Sequence, residues 1–157
     1  MVTEVKMKIV RLVREDGTKV KMPAYGHESG DACFDIFASN LEPIVIKPHE
    51  VAKIPTGLVI QLEDGYHLEI HNKSGIGSNK NVQLAHCTGK GDNNYRGEYF
   101  IPIYNRNDYD FVVEPGMKIC QAQPHPDYIA VFQEVDSIDD LTETERGAGG
   151  FGRTGLQ

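Results

Sequence analysis

Residues Val5–Val13 read VKMKIVRLV, with Val, Met, Ile and Leu interleaved with Lys and Arg. Successive side chains of a strand point to opposite faces, so this alternation predicts a β-strand with one face on a core and one in water. Outward from it, short apolar-rich stretches return along the chain: Cys33–Phe37, Ile44–Ile46, Val51–Ile54, Gly57–Gln61, Tyr66–Ile70, Tyr99–Tyr104, Phe111–Val113, Ile119–Ala122 and Ile129–Glu134. Turn-forming pairs and clusters separate them, among them Asp16-Gly17, Lys47-Pro48, Glu63-Asp64-Gly65, Asn105 to Asp110 and Glu114-Pro115-Gly116. Many short strands with polar turns predict an all-β sandwich, jelly roll or barrel. A single short helix is expected around Ser74–Asn79, weakened by Gly75 and Gly77, since each interior glycine costs roughly 1 kcal/mol relative to alanine.

The chain has 157 residues, of which 39% are apolar and 25% charged, in keeping with one globular domain. Its net charge of −7 argues against an extended nucleic-acid partner. A small phosphorylated ligand remains compatible, because a few local cations and backbone N–H groups can offset the global charge. Cys33, Cys87 and Cys120 are odd in number and form no C-x-x-C pair, which predicts reduced thiols rather than zinc ligands. Charges interrupt every apolar run near the N-terminus, and no stretch has the apolar length of a membrane span. The expected location is therefore the cytoplasm, or a host's cytoplasm for a viral or phage protein.

The expected domain is residues 1–136. Residues 137–157 form an acidic stretch followed by RGAGGFGRTGLQ, which has too little apolar area to order itself. A glycine-rich strip carrying one ring, Phe151, between Arg146 and Arg153 is suited to folding over a ligand.

Three further clusters carry reactive side chains. Lys73-Ser74-Gly75-Ile76-Gly77-Ser78 offers a cation, a hydroxyl and permissive glycines, the parts of a phosphate cradle without Walker spacing. Gly89 to Gly97 brackets Asp92, two amides, Tyr95 and Arg96 with glycines; its bland alternative is a solvated hairpin tip. Pro115 to Ala122 turns tightly into a strand that contains Gln121, which alone would read as an outward polar residue.

Together these clusters resemble the trimeric dUTP pyrophosphatase (dUTPase) family, over nearly the whole chain and in the family's order. The five matching segments are Ala32–Ala38 with Asp35, Lys73-Ser74-Gly75, Leu84 to Gly89 with Asp92 to Gly97, Pro115 to Gln121, and Glu145 to Gly155. The resemblance implies a jelly-roll β-clip with a flexible C-terminal arm, and a homotrimer whose three active sites are shared between subunits. It implies that dUTP is cut to dUMP and pyrophosphate with Mg²⁺, the metal being held by phosphate oxygens and water rather than by a direct protein ligand. By the same resemblance, Asp92 is the base that activates water and Gln121 helps to hold that water. Lys73, Ser74 and Gly75 meet the phosphates. The hairpin through His86 and Gly89 reads uracil through its backbone, and Tyr95 packs on deoxyribose. Arg146 and Thr154 contact the γ-phosphate, Phe151 stacks on the base beside Gly152, and Asp35 is a candidate for the metal's outer shell.

Three positions depart from the family's pattern. Lys73 stands where arginine is usual and loses the bidentate fork. Cys33-Phe34 replaces a common Gly-Tyr. Lys90 and Gly91 replace two apolar residues, which predicts a more flexible hairpin. Two rival readings are a dCTP deaminase, whose acid–base motif has no match here, and a nucleotide-binding scaffold that acts through a protein partner of unknown identity.

Overall fold

The computed structural model describes residues 4–149. Its strands are β1 (Met7–Arg11), β2 (Phe34–Phe37), β3 (Ile44–Ile46), β4 (Val51–Pro55), β5 (Leu58–Leu62), β6 (Tyr66–His71), β7 (Val82–Leu84), β8 (Gly89–Gly91), β9 (Phe100–Asn105), β10 (Phe111–Val113) and β11 (Lys118–Pro126). One helix, α1, spans Ser74–Lys80, and a 3₁₀ turn covers Ile138–Asp140. No helix among the described residues is long and apolar enough to cross a membrane.

Every strand pair is antiparallel. A four-stranded sheet runs β2-β11-β6-β8 and a three-stranded sheet runs β4-β9-β7, with the two-stranded pairs β1-β5 and β10-β3 beside them. The opening stretch follows its alternation as far as Ile9, with Met7 opposite Leu62 and Ile9 opposite Ile60; beyond it Val10 is exposed and the inward position opposite Leu58 is taken by Arg11. The core collects the inward positions of each sheet, including Ile36, Ile46, Ile54, Leu58, Ile60, Leu68, Leu84, Ile101 and Val113, all fully or almost fully buried. Each such side chain contributes about 1.5–3 kcal/mol relative to an exposed one. This is the all-β architecture expected of the sequence.

The helix survives its glycines because its C-terminal end is held by tertiary contacts. Asn81 ends it in the left-handed region at φ 51°, and the buried Asn107 donates through Nδ2 to the Lys80 carbonyl at 2.9 Å. Asn105 is fully buried. Its Nδ2 donates to the carbonyls of Ile46 (2.9 Å) and Tyr109 (2.8 Å), which closes the 105–110 loop onto β3. These paired amides satisfy backbone carbonyls that would otherwise be buried without a donor.

One expectation is corrected. Ile129–Glu134 forms no strand, and Ile129, Val131 and Phe132 are over 90% exposed, at 92%, 93% and 93%. The chain leaves the sheet after Pro126. It is tied down at Asp127, whose N–H donates to the Gly65 carbonyl at 2.8 Å and whose carboxylate meets His67 Nδ1 at 2.7 Å. Beyond that point no strand of this chain pairs with it among the described residues. An apolar stretch makes a strand only where a partner completes its hydrogen bonds.

Candidate active site

Two clefts gather the chemistry-bearing residues. The first is built by the connection that carries the chain from β7 in the three-stranded sheet to β8 in the four-stranded sheet. The chain reverses at Cys87, which takes φ 63°, and its N–H donates to the Leu84 carbonyl at 3.3 Å. It then joins the edge of the four-stranded sheet with Gly89 opposite Ile70 and Gly91 opposite Leu68. This register buries both glycines and turns Lys90 outward, where its ammonium pairs with Glu69 and lies 3.2 Å from His67 Nε2.

A tight turn follows, closed by the Tyr95 N–H on the Asp92 carbonyl at 3.0 Å. Asn93 anchors it, its Oδ1 accepting from the Leu62 N–H at 3.1 Å. The Tyr95 hydroxyl donates to the Glu98 carbonyl at 3.0 Å. The cleft so formed is about 680 Å³ and is lined by His86, Gly89, Asp92, Tyr95 and Tyr99, among others. Asp92 stands exposed at its rim.

The second cleft, about 580 Å³, lies where β2, β11 and the segment after β6 meet. Asp35 and Gln121 face each other across the β2–β11 register. Asp35 is 5% exposed. It receives Lys73 on Oδ1 and Lys118 on Oδ2, each at 2.7 Å. Burial pushes its carboxyl up, but the hydrogen bonds from Lys118 and Lys73 outweigh this and hold it below the usual carboxylate range. Gln121 Nε2 donates to the Asn72 carbonyl at 2.9 Å, one residue before Lys73. Ser74 and Gly75 open α1 beside this cleft, both exposed.

The residues expected from the sequence thus fall into two groups. His86, Gly89, Asp92 and Tyr95 share the first cleft; Asp35, Lys73 and Gln121 share the second. The two have no lining residue in common. Arg146 lines neither; it sits in an exposed turn with its Nε donating to the Gly149 carbonyl at 2.7 Å. Phe151, Gly152 and Thr154 lie outside the described residues. Among the described residues no group of three or more His, Cys, Asp or Glu could hold a metal ion. Asp35, expected near a metal's outer shell, has both carboxylate oxygens engaged by lysines.

Sequence reasoning missed Lys118 and Tyr99. Lys118 and Gln121 are three residues apart, which in a regular strand puts them on opposite faces. The register shifts between Lys118 and Cys120, and this bulge returns both to the Asp35 side. Tyr99 reads as one more apolar strand residue. Its role shows only against Gly91, where a Cβ would lie 2.5 Å from the Tyr99 ring. The space left by the small residue is filled by a side chain from the residue just before β9, in the other sheet, so the hairpin expected to be more flexible is backed by a buried ring.

Comparison with known proteins gives a consistent result. A family model described as dUTPase matches residues 18–155. The chain is 38% identical to a deoxyuridine 5′-triphosphate nucleotidohydrolase of Orientia tsutsugamushi (strain Ikeda) over 154 residues, 97% of this chain and 99% of that one. It is 40% identical to the protein of the same name from Helicobacter pylori (strain J99) over 135 residues, 86% of this chain and 89% of the relative. Among solved structures, the Staphylococcus bacteriophage 80alpha dUTPase with dUPNHPP aligns at a TM-score of 0.79 and 25% identity, covering 96% of this chain and 99% of that one.

Proposed function

This chain belongs to the dUTPase family, and from that premise we propose that it hydrolyses dUTP to dUMP and pyrophosphate by attack of an activated water on the α-phosphorus. The observation that carries the reading is the position of Asp92. It is an exposed carboxylate at the mouth of a nucleoside-sized cleft, on a glycine-rich hairpin that also presents Tyr95. Asp92 takes the proton of the attacking water, a role typically worth ~10²–10⁴-fold in rate. The hairpin backbone at His86 and Gly89 receives uracil, and Tyr95 receives the deoxyribose face. A ring against the sugar refuses a 2′-hydroxyl by clash, which discriminates more strongly than a missing contact.

The triphosphate falls to the cationic cleft, with Lys73, Ser74 and Gly75 along it and Gln121 holding the water. Because Asp92 and Gln121 line separate clefts of one chain, the reading requires that subunits complete each other's sites. A homotrimer with three shared sites does so. Residues 137–157 act as an arm that brings Arg146, Phe151, Gly152 and Thr154 over the nucleotide. Bound with the triphosphate, Mg²⁺ would supply charge neutralisation at the phosphates; no residue of this chain is assigned as its ligand, and this chain's own residues are assigned only the base, the water and the cations.

A nucleotide panel with Mg²⁺ tests the reading, comparing dUTP, dTTP, UTP and dCTP and identifying products. Pyrophosphate from dUTP, with little from the other three, is expected. No pyrophosphate from dUTP, or ammonia released from dCTP, overturns it.

A further inference from the structure

We propose that Lys90 is a positioning residue for the reaction: it clamps the edge strand β8 from the outer face of the four-stranded sheet and so fixes where the Asp92 carboxylate stands. The proposal rests on the reading of Asp92 as the base given above. β8 has only three residues, Gly89–Gly91, and lies at the edge of its sheet, paired with β6 alone. Its two glycines lose the most conformational freedom on being held extended and pack no side chain. Lys90 carries the strand's only side chain, at a position where an apolar residue is usual in the family.

That side chain reaches across to β6. Its ammonium pairs with Glu69, which lies opposite Lys90 in the β6–β8 register, and stands 3.2 Å from Nε2 of His67. An ammonium only donates, so Nε2 accepts and His67 carries its proton on Nδ1, 2.7 Å from the Asp127 carboxylate. The His125 ring braces His67 from β11, with centroids 5.1 Å apart. Both anchors are well covered: the side chains of Glu69 and His67 are 14% and 16% exposed. Lys90 therefore ties β8 to groups that are themselves held in place. Neither Glu69 nor His67 lines the nucleoside cleft, so the clamp acts on the site from outside it.

Asp92 depends on such support. No hydrogen bond or ion pair among the described residues holds its carboxylate, so the backbone on either side places it. One residue on, Asn93 anchors the turn to the Leu62 N–H. Two residues back, Lys90 holds the outer face, while Tyr99 backs Gly91 from the core side. The base hangs between these two fixed points. Misplacing a reacting group by about 1 Å can cost on the order of 10²-fold in rate, and loosening one of two supports costs part of that.

The test compares the full chain as wild type, Lys90→Met and Lys90→Arg, with dUTP and Mg²⁺. Methionine keeps most of the length and removes the charge; arginine keeps the charge and can donate to Glu69 and His67 alike. In Lys90→Met, kcat is expected to fall about tenfold while KM for dUTP stays within about twofold, because the base moves and the nucleotide contacts remain. Lys90→Arg is expected to recover most of kcat. The ligand-free melting temperature is expected to change little in either variant, as for other half-exposed ion pairs. An unchanged kcat in Lys90→Met, a loss carried by KM instead, an arginine variant as slow as the methionine one, or a steep fall in melting temperature each overturn the proposal. A wild-type protein that fails to cut dUTP sinks the functional reading instead, and wild-type turnover in Asp92→Asn sinks the assignment of the base; both are distinct from a failure of the clamp.

Discussion

Lys118 Nζ lies 2.7 Å from Oδ2 of Asp35, from the far side of a β-bulge that no regular strand pattern contains. The opposite oxygen of the same carboxylate holds Lys73. One buried acid thus keeps two ammonium groups apart and aimed into a single cleft. Asp35→Asn leaves both cations without their counter-charge. A loss of about 1–3 kcal/mol is expected, moderated because both lysines reach solvent.

The same carboxyl titrates below its ordinary 3.8 in the folded chain. Its stabilising contribution is therefore whole above that value and is lost as pH falls through the lower folded one. Melting temperatures measured from about pH 6 to about pH 3 are expected to decline more steeply in the wild type than in Asp35→Asn. Parallel curves would show that Asp35 contributes nothing to acid stability.

Asp92→Asn removes a base and keeps the volume. Turnover of dUTP is expected to drop by ~10²–10⁴-fold while affinity for a non-hydrolysable analogue stays within a few-fold. Turnover at the wild-type level would reassign the base.

The thiols should separate by exposure. Cys87 is exposed at the hairpin turn, Cys33 is half-buried with its thiol pushed up by burial, and Cys120 is buried with its thiol pushed well up by burial and then by Asp35. An alkylating reagent on the native protein is expected to modify Cys87 first and Cys120 only after unfolding. Early labelling of Cys120, mapped by mass spectrometry, would contradict the packing of β11.

Gly57 lies between β4 and β5 at φ 64°, and a Cβ there would overlap the buried Val20 side chain. Gly57→Ala is expected to cost about 1–3 kcal/mol, from backbone strain and overpacking together. Denaturant unfolding at matched protein concentration reads this directly; an unchanged midpoint would refute it.

Deleting residues 146–157 is expected to remove most dUTP turnover and leave the ligand-free melting temperature nearly unchanged. Residues 137–148 are already exposed and none lies in the core. A large drop in melting temperature would assign the arm to the fold rather than to the nucleotide.

The β1 alternation, the turn pairs and the isolated apolar stretches made an all-β fold legible in the chain, because a strand's period of two is local and follows residue order directly. Candidate chemistry was legible too, in Asp92 to Arg96 and in Lys73-Ser74-Gly75, where reactive types are neighbours. Tertiary structure alone decided three matters. Ile129–Glu134 is apolar enough for a strand but finds no pairing partner among the described residues of this chain, and pairing is a property of two segments. Lys118 shares a face with Gln121 because of a bulge that inserts one residue against β2. Tyr99 fills the space left by Gly91, an exchange of volume between residues eight positions apart. Local propensity describes one segment at a time, whereas register, bulges and volume exchange arise only where two segments meet.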